Sequence, residues 1–225
     1  LDSNPTYFIL DERGEPLLDG LKLNTRVPAT IHEEVQQMAI DEAGTRHFLW
    51  HAPDDDYGFL VYTRILSNSV MAVNQLTVTH FTDDWHRGGT PYDHPELLVD
   101  AQGAAHVLWR ADGDQGTHVL FWRRINADGT LSTERQIPLG DYTEVVGGVK
   151  AAIDAQDQLH VLLDKARYRT SSYDLAYGQL DRAGNVLRPF HSLYIGGENA
   201  RRARITIDQN GEAVITFVEA PLYLV

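Results

Sequence analysis

Apolar positions along the chain fall in runs of strand length, and two kinds of polar interruption alternate between them. In the first, an apolar run ends on Asp, Gly follows after two residues in most copies, and a second apolar run begins. Met38-Ala39-Ile40-Asp41-Glu42-Ala43-Gly44 leads into Arg46-His47-Phe48-Leu49-Trp50, and Leu97-Leu98-Val99-Asp100-Ala101-Gln102-Gly103 into Ala105-His106-Val107-Leu108-Trp109. The third copy turns at Asp154-Ala155-Gln156-Asp157 before Leu159-His160-Val161-Leu162-Leu163, and the fourth at Asp208-Gln209-Asn210-Gly211 before Ala213-Val214-Ile215-Thr216-Phe217. The second kind lies between these, at Tyr7-Phe8-Ile9-Leu10-Asp11-Glu12-Arg13-Gly14, Phe121 to Gly129 and Tyr177 to Gly184. Tyr62-Thr63-Arg64-Ile65-Leu66-Ser67-Asn68 is a copy without the glycine. Both patterns predict β-hairpins: Asp bonds its own backbone to open the turn, Gly supplies the positive φ, and β-branched and aromatic flanks fill the strands.

Each repeat is therefore two hairpins, a four-stranded antiparallel sheet. The first-pattern aspartates at 41, 100, 154 and 208 stand 59, 54 and 54 positions apart. A near-constant period of this size with four strands per period predicts an all-β fold, a β-propeller of four-stranded antiparallel blades. A stacked β-solenoid usually has a shorter period. The expected organisation is a single β-propeller domain over residues 1–225. Its blades lie near 36–80, 95–139 and 148–194, with a fourth in which 203–225 join 1–24. Joining the ends would give a last interval of 58 from Asp208 round to Asp41, so a split blade is expected to close the ring and hide its sheet edge. A slice of a longer array, and a homodimer that exchanges half-blades, are the rival arrangements.

Composition narrows the partners. The chain has 225 residues, 43% of them hydrophobic, with 19 Lys+Arg against 32 Asp+Glu and a formal charge of −13. Such an acidic surface repels phosphate backbones and anionic lipid, so no nucleic acid partner is expected. No apolar run approaches the ~20 residues of a membrane helix, so no membrane insertion is expected. With no cysteine, disulfides, thiolate metal sites and a cysteine nucleophile are excluded. The chain opens on Leu1, as expected of a processed form or an excised piece.

In a propeller, the turns inside the hairpins share one face, and the links between strands two and three and between blades share the other. The turns here are short and uniform, while the opposite links vary, so ligand contacts are expected on the variable face. From Val70 to Asp100 the chain takes 30 positions, against 21–24 between the corresponding landmarks elsewhere. That insertion carries Asp83, Asp84, Trp85, His86, Arg87, Tyr92 and His94. Its aromatics could stack on a sugar ring and its acids could take hydroxyls. Arg167 and Arg169, with Lys165 and Tyr168 beside them, and Arg201 and Arg202 are basic exceptions placed to converge on a carboxylate or sulfate. Asp54, Asp55 and Asp56, with His51 and Tyr57, are a weak candidate for calcium, which needs several convergent oxygens; no other cofactor is expected. His47, His106 and His160 hold one place in three repeats, six positions after the Asp. Three equivalent histidines invite a metal reading, but their place beside a turn predicts a structural role in which each imidazole bonds a neighbouring backbone group. The sequence contains no GxSxG elbow, HExxH, phosphate-binding glycine loop or dinucleotide fingerprint.

The alternation of apolar–Asp–x–x–Gly–x–x–His–apolar–Trp with a second Asp/Asn–x–x–Gly hairpin resembles the BNR, or sialidase-like, repeat propellers over nearly the whole chain. Their Asp-box reads Ser-x-Asp-x-Gly-x-x-Trp, which Asn126-Ala127-Asp128-Gly129-Thr130-Leu131 approaches without completing. The Arg-Ile-Pro motif of sialidases has a counterpart in Arg26-Val27-Pro28, but Gln136-Ile137-Pro138 fills the same place in another repeat without the arginine. The resemblance implies glycan contact, by binding or by cleavage. The chain thus reads as a non-catalytic binding propeller, secreted or otherwise extracytoplasmic, that recognises a glycan or protein ligand through its variable loop face. One alternative is a carbohydrate-active enzyme, a sialidase-like hydrolase or polysaccharide lyase, working from His80, His86, Tyr92 or His94 with the arginines holding a carboxylate. The other is a structural module of a larger protein.

Overall fold

A computed structural model describes residues 6–10, 13, 15–22, 34–53, 58–80, 95–112, 118–145, 147–168, 173–195 and 200–219. The described chain is all-β and built of propeller-type antiparallel blades. Its contacts divide it into two compact units, Leu1–Arg87 and Gly88–Val225. Among the described residues no helix is long and apolar enough to cross a membrane.

In the first unit, β1 (Thr6–Leu10) and β2 (Pro16–Lys22) form a two-stranded antiparallel sheet. The next four strands, β3 (Glu34–Ile40), β4 (Arg46–Pro53), β5 (Gly58–Ile65) and β6 (Met71–His80), pair in sequence order as one blade. The two middle strands are buried on both faces: Phe48, Leu49 and Trp50 in β4, and Leu60 to Ile65 in β5. That is why these segments read as continuous apolar runs rather than alternating ones.

The second unit begins with β7 (Glu96–Val99), β8 (Ala105–Asp112), β9 (His118–Ile125) and β10 (Arg135–Gln136), again paired in chain order. The following blade has an inner strand in two pieces, β11 (Tyr142–Val145) and β12 (Val149–Ile153). Both pair with β13 (Leu159–Tyr168), followed by β14 (Tyr173–Leu180) and β15 (Val186–Ile195). The last described strands, β16 (Ala200–Ile207) and β17 (Ala213–Glu219), form a two-stranded sheet. Within this unit β12 packs against β7 on one side and β16 on the other. The first strands of three successive repeats therefore lie side by side, the order that blades take around an axis.

Alternation in β13 supplies the glue. Val161 and Leu163 join Leu108, Leu120 and Trp122 of the preceding blade in one buried cluster. Leu162, pointing to the opposite face, joins Leu175, Tyr177 and Ala203, with Ile205 and Ile215 packed alongside. Each such buried leucine is worth roughly 2 kcal/mol of transfer free energy.

The hairpin turns follow the expected chemistry. Asp41 accepts a backbone bond from Gly44 and donates one to Thr45, and its carboxylate accepts a further bond from the Thr45 N–H at 2.7 Å. Residues Gly44, Ser69, Gly103, Gly129, Asp157, Gly184 and Gly211 close the seven turns described, all with φ between 59° and 87°. Ser69 and Asp157 thus do the work of glycine at a modest steric cost. Asp157 compensates through contact: its carboxylate accepts from the Ala101 N–H at 3.1 Å and the Gln102 amide at 2.9 Å, tying one blade's turn to its neighbour's.

Candidate functional site

At the turn end of each complete blade the same buried network recurs. His47 contacts Asp41 Oδ2 through Nε2 at 3.4 Å and the Tyr62 hydroxyl through Nδ1 at 2.6 Å. His160 contacts Asp154 at 3.1 Å and the Tyr177 hydroxyl at 2.7 Å in the same way. His106 contacts Asp100 at 3.2 Å, and the indole N–H of Trp122 donates to its Nδ1 at 3.3 Å. The expectation that these imidazoles bond backbone groups is corrected here: each holds two side chains, because the third strand sets an aromatic donor diagonally across from the histidine. An indole N–H can only donate, so His106 Nδ1 carries no proton and Nε2–H donates to Asp100.

Asp100 is the most heavily loaded of the three. Arg124 reaches it at 2.9 Å and Arg182, from the next blade, at 3.4 Å. Burial acts to raise this carboxyl, but the His106 bond, the Ala104 N–H and the charge of Arg124 outweigh it and hold it well below the usual carboxylate range. Burial pushes the His47 and His106 imidazoles down, against the pull of Asp41 and Asp100. Burial likewise pushes the Tyr62 hydroxyl up. These shifts favour a neutral imidazole at His47 and His106, an ionised carboxylate at Asp100 and a protonated phenol at Tyr62. Both ring nitrogens of each histidine are engaged inside the blade, and no group of three or more metal-ligating side chains stands together among the described residues. The turn end has the chemistry of a scaffold.

The insertion residues Asp83, Asp84, Trp85, His86, Arg87, Tyr92 and His94 lie outside the described residues, as do Arg169 and the calcium candidates Asp54, Asp55 and Asp56. Arg167 is placed by its backbone near the far end of β13, opposite Glu144 and Tyr173. Arg201 and Arg202 lie at the start of β16, with Arg201 opposite Val218. Since β13 and β16 belong to neighbouring blades that touch, the backbone carries these basic positions on adjacent blades. His80 closes β6, opposite Phe59.

Two described side chains at this loop end were not singled out from the sequence. Asp174, near the start of β14 and 4% exposed, accepts a bond from the Tyr142 hydroxyl at 3.3 Å through Oδ2, while its Oδ1 has no partner among the described residues. Aligning the second hairpins on their turns would have flagged it, since the corresponding positions are Phe59 and Val119. A shallow crevice of about 440 Å³ also opens between two blades, lined by Arg135, Gln136, Pro138, Gly184, Asn185 and Val186. Arg135 spans it to Asn185 at 2.7 Å, so its main cation is already engaged.

No family model matches the chain, and no curated protein matches it in sequence. Among solved structures, an endo-arabinase from Bacteroides thetaiotaomicron superposes with a TM-score of 0.50 at 11% identity, over 84% of this chain and 74% of its own. A Dyadobacter fermentans protein described as of unknown function superposes at 0.52 and 14% identity, over 82% of this chain and 61% of its own. The chain thus spans less than two thirds of the Dyadobacter protein. At these identities the likeness speaks to fold, and it agrees with the blades described above.

Proposed function

We propose that the chain is a non-catalytic binding propeller, of the BNR-like repeat kind and extracytoplasmic, that recognises a glycan through the loop end of its blades. One observation carries this reading. The recurrent acid–histidine–aromatic sets, which would be the natural catalytic candidates, are spent on one another at the turn end. Recognition is thereby left to the opposite end, where link lengths differ and aromatic, acidic and basic residues gather in the sequence. Trp85 and Tyr92 supply the faces on which a pyranose can stack, and Arg167, Arg169, Arg201 and Arg202 supply donors for an acidic sugar. The shared fold with an endo-arabinase favours carbohydrate over protein as the ligand, and it keeps a carbohydrate-active enzyme as the second reading.

A glycan array probed with wild type and Trp85→Ala tests the proposal. Wild type is expected to bind a restricted set of glycans, and Trp85→Ala to lose them by about tenfold or more, the scale of one lost stacking contact. Turnover of a bound glycan would transfer the chain to the enzymatic reading. Equal binding by both proteins would remove Trp85 from the site.

A further inference from the structure

Blade for blade, one position at the loop end departs from the repeat. The second residue of the third strand in three blades is set opposite an alanine of the second strand: Ala52 pairs with Phe59, Ala111 with Val119, and Ala166 with Asp174. Two of the three are apolar, as a buried blade position requires, and the third is a carboxylate. The strand beside it also departs. The β4–β5 and β8–β9 registers run unbroken, whereas β13–β14 shifts between Leu163 and Ala166, immediately before the anomalous pair. Bulges of this kind re-aim side chains and are over-represented next to functional sites.

The same carboxylate is left half satisfied. Asp174 is 4% exposed, Tyr142 donates to its Oδ2, and its Oδ1 meets no donor among the described residues. A buried acceptor without a partner is costly and rare in a folded chain, and its persistence calls for an explanation outside the scaffold. Across the sheet Ala166 stands opposite Asp174 on one side and Val145 on the other, while Tyr142 stands opposite Tyr168, so Tyr142 reaches Asp174 diagonally over β13 and the position facing Asp174 carries no bulky side chain.

We infer that Asp174 and Tyr142, at the bulge of β13, form a subsite for one ring of a hydroxyl-rich ligand, with Asp174 Oδ1 accepting a sugar hydroxyl. The inference rests on the loop end being the ligand face. A hydroxyl group is the donor that this oxygen lacks, and a neutral one suffices because the other oxygen is already bonded. A metal ion would require further convergent oxygens, and no such group stands among the described residues. Arg167, one position beyond Ala166 on the bulged strand, lies at the rim by its register opposite Tyr173.

Three variants test the subsite. Asp174→Val installs the residue type found in the neighbouring blade, Asp174→Asn keeps the shape, and Tyr142→Phe removes the hydroxyl. Each is titrated calorimetrically against methyl glycosides of neutral hexoses and pentoses, and each is melted. Asp174→Val is expected to melt at or above the wild-type temperature and to lose roughly tenfold or more in affinity, with smaller losses for Asp174→Asn and Tyr142→Phe. Wild-type affinity in Asp174→Val, with a lower melting temperature, would return Asp174 to the scaffold while leaving the loop-end reading intact. Failure of the wild type to bind any glycoside would overturn both. Should Asp174→Val not fold, unchanged affinity in the other two variants overturns the inference.

Discussion

His106 is the residue at which the electrostatics of the blades are most sharply defined. It is fully buried between an ionised carboxylate and a donor that cannot accept. Adding a proton at Nδ1 would set two N–H groups against each other, which is the geometric counterpart of its lowered pKa. The sign of the pH dependence follows. A histidine whose folded pKa lies below its unfolded value of 6.5 is charged first in the unfolded chain. Stability is therefore full above that value and falls as pH drops through it toward the folded value, by up to about 1.4 kcal/mol per pH unit for each such group. Asp100, also depressed, adds a second loss at lower pH, below the ordinary carboxylate value of 3.8. Urea unfolding from pH 7.5 to 4.5 is expected to show stability declining from near pH 6.5 downward, and ¹⁵N spectra to show His106 protonated on Nε2 at pH 6. A flat stability profile with an ordinary His106 titration would remove this account of the network.

At the scale of strands and turns, blades meet through the hairpin turns as well as through their faces. A Cβ placed on Gly184 would stand 2.4 Å from the indole of Trp122, and the backbone there has φ +76. The turn of one blade lies directly on a fully buried tryptophan of the preceding blade. Gly184→Ala must strain the backbone and push that ring, and a loss of about 2 kcal/mol or more in unfolding free energy is expected, measured by denaturant titration. Gly211, at the equivalent place in the last hairpin, meets nothing within 4 Å, so Gly211→Ala carries the φ penalty alone and serves as the internal reference. Most of this level was legible in the sequence, because turn chemistry is local: Asp and Gly at fixed offsets announce each hairpin. Asp157 was legible as a turn residue but not as a clamp between blades, since its partners Ala101 and Gln102 lie more than fifty positions away. The bulge in β13 was invisible for a similar reason, being a mismatch between two strands that neither strand displays alone. The histidines were read as structural, but their partners were misassigned to the backbone: the aromatic donors arrive from a strand whose register the repeat pattern does not state. In the fourth repeat Val214 takes the histidine's place and is 42% exposed on the two-stranded β16–β17 sheet. The network is thus described in the three repeats that carry the histidine.

For the molecule as a whole, the claim is a division of labour between the two ends of the blades: locked polar networks at the turns, recognition at the links. The acidic balance of −13 disfavours polyanions, and on the proposed reading anionic ligands fall to the local arginine groups. The most direct measurement is a backbone amide chemical-shift map of the ¹⁵N-labelled protein, titrated with the best glycan from the array. Shifts are expected to concentrate at residues 80–95, 165–174 and 200–202, with the turn residues Gly44, Gly103, Gly184 and Gly211 unmoved. Shifts concentrated on those glycines and their flanking aspartates, with the links silent, would contradict it.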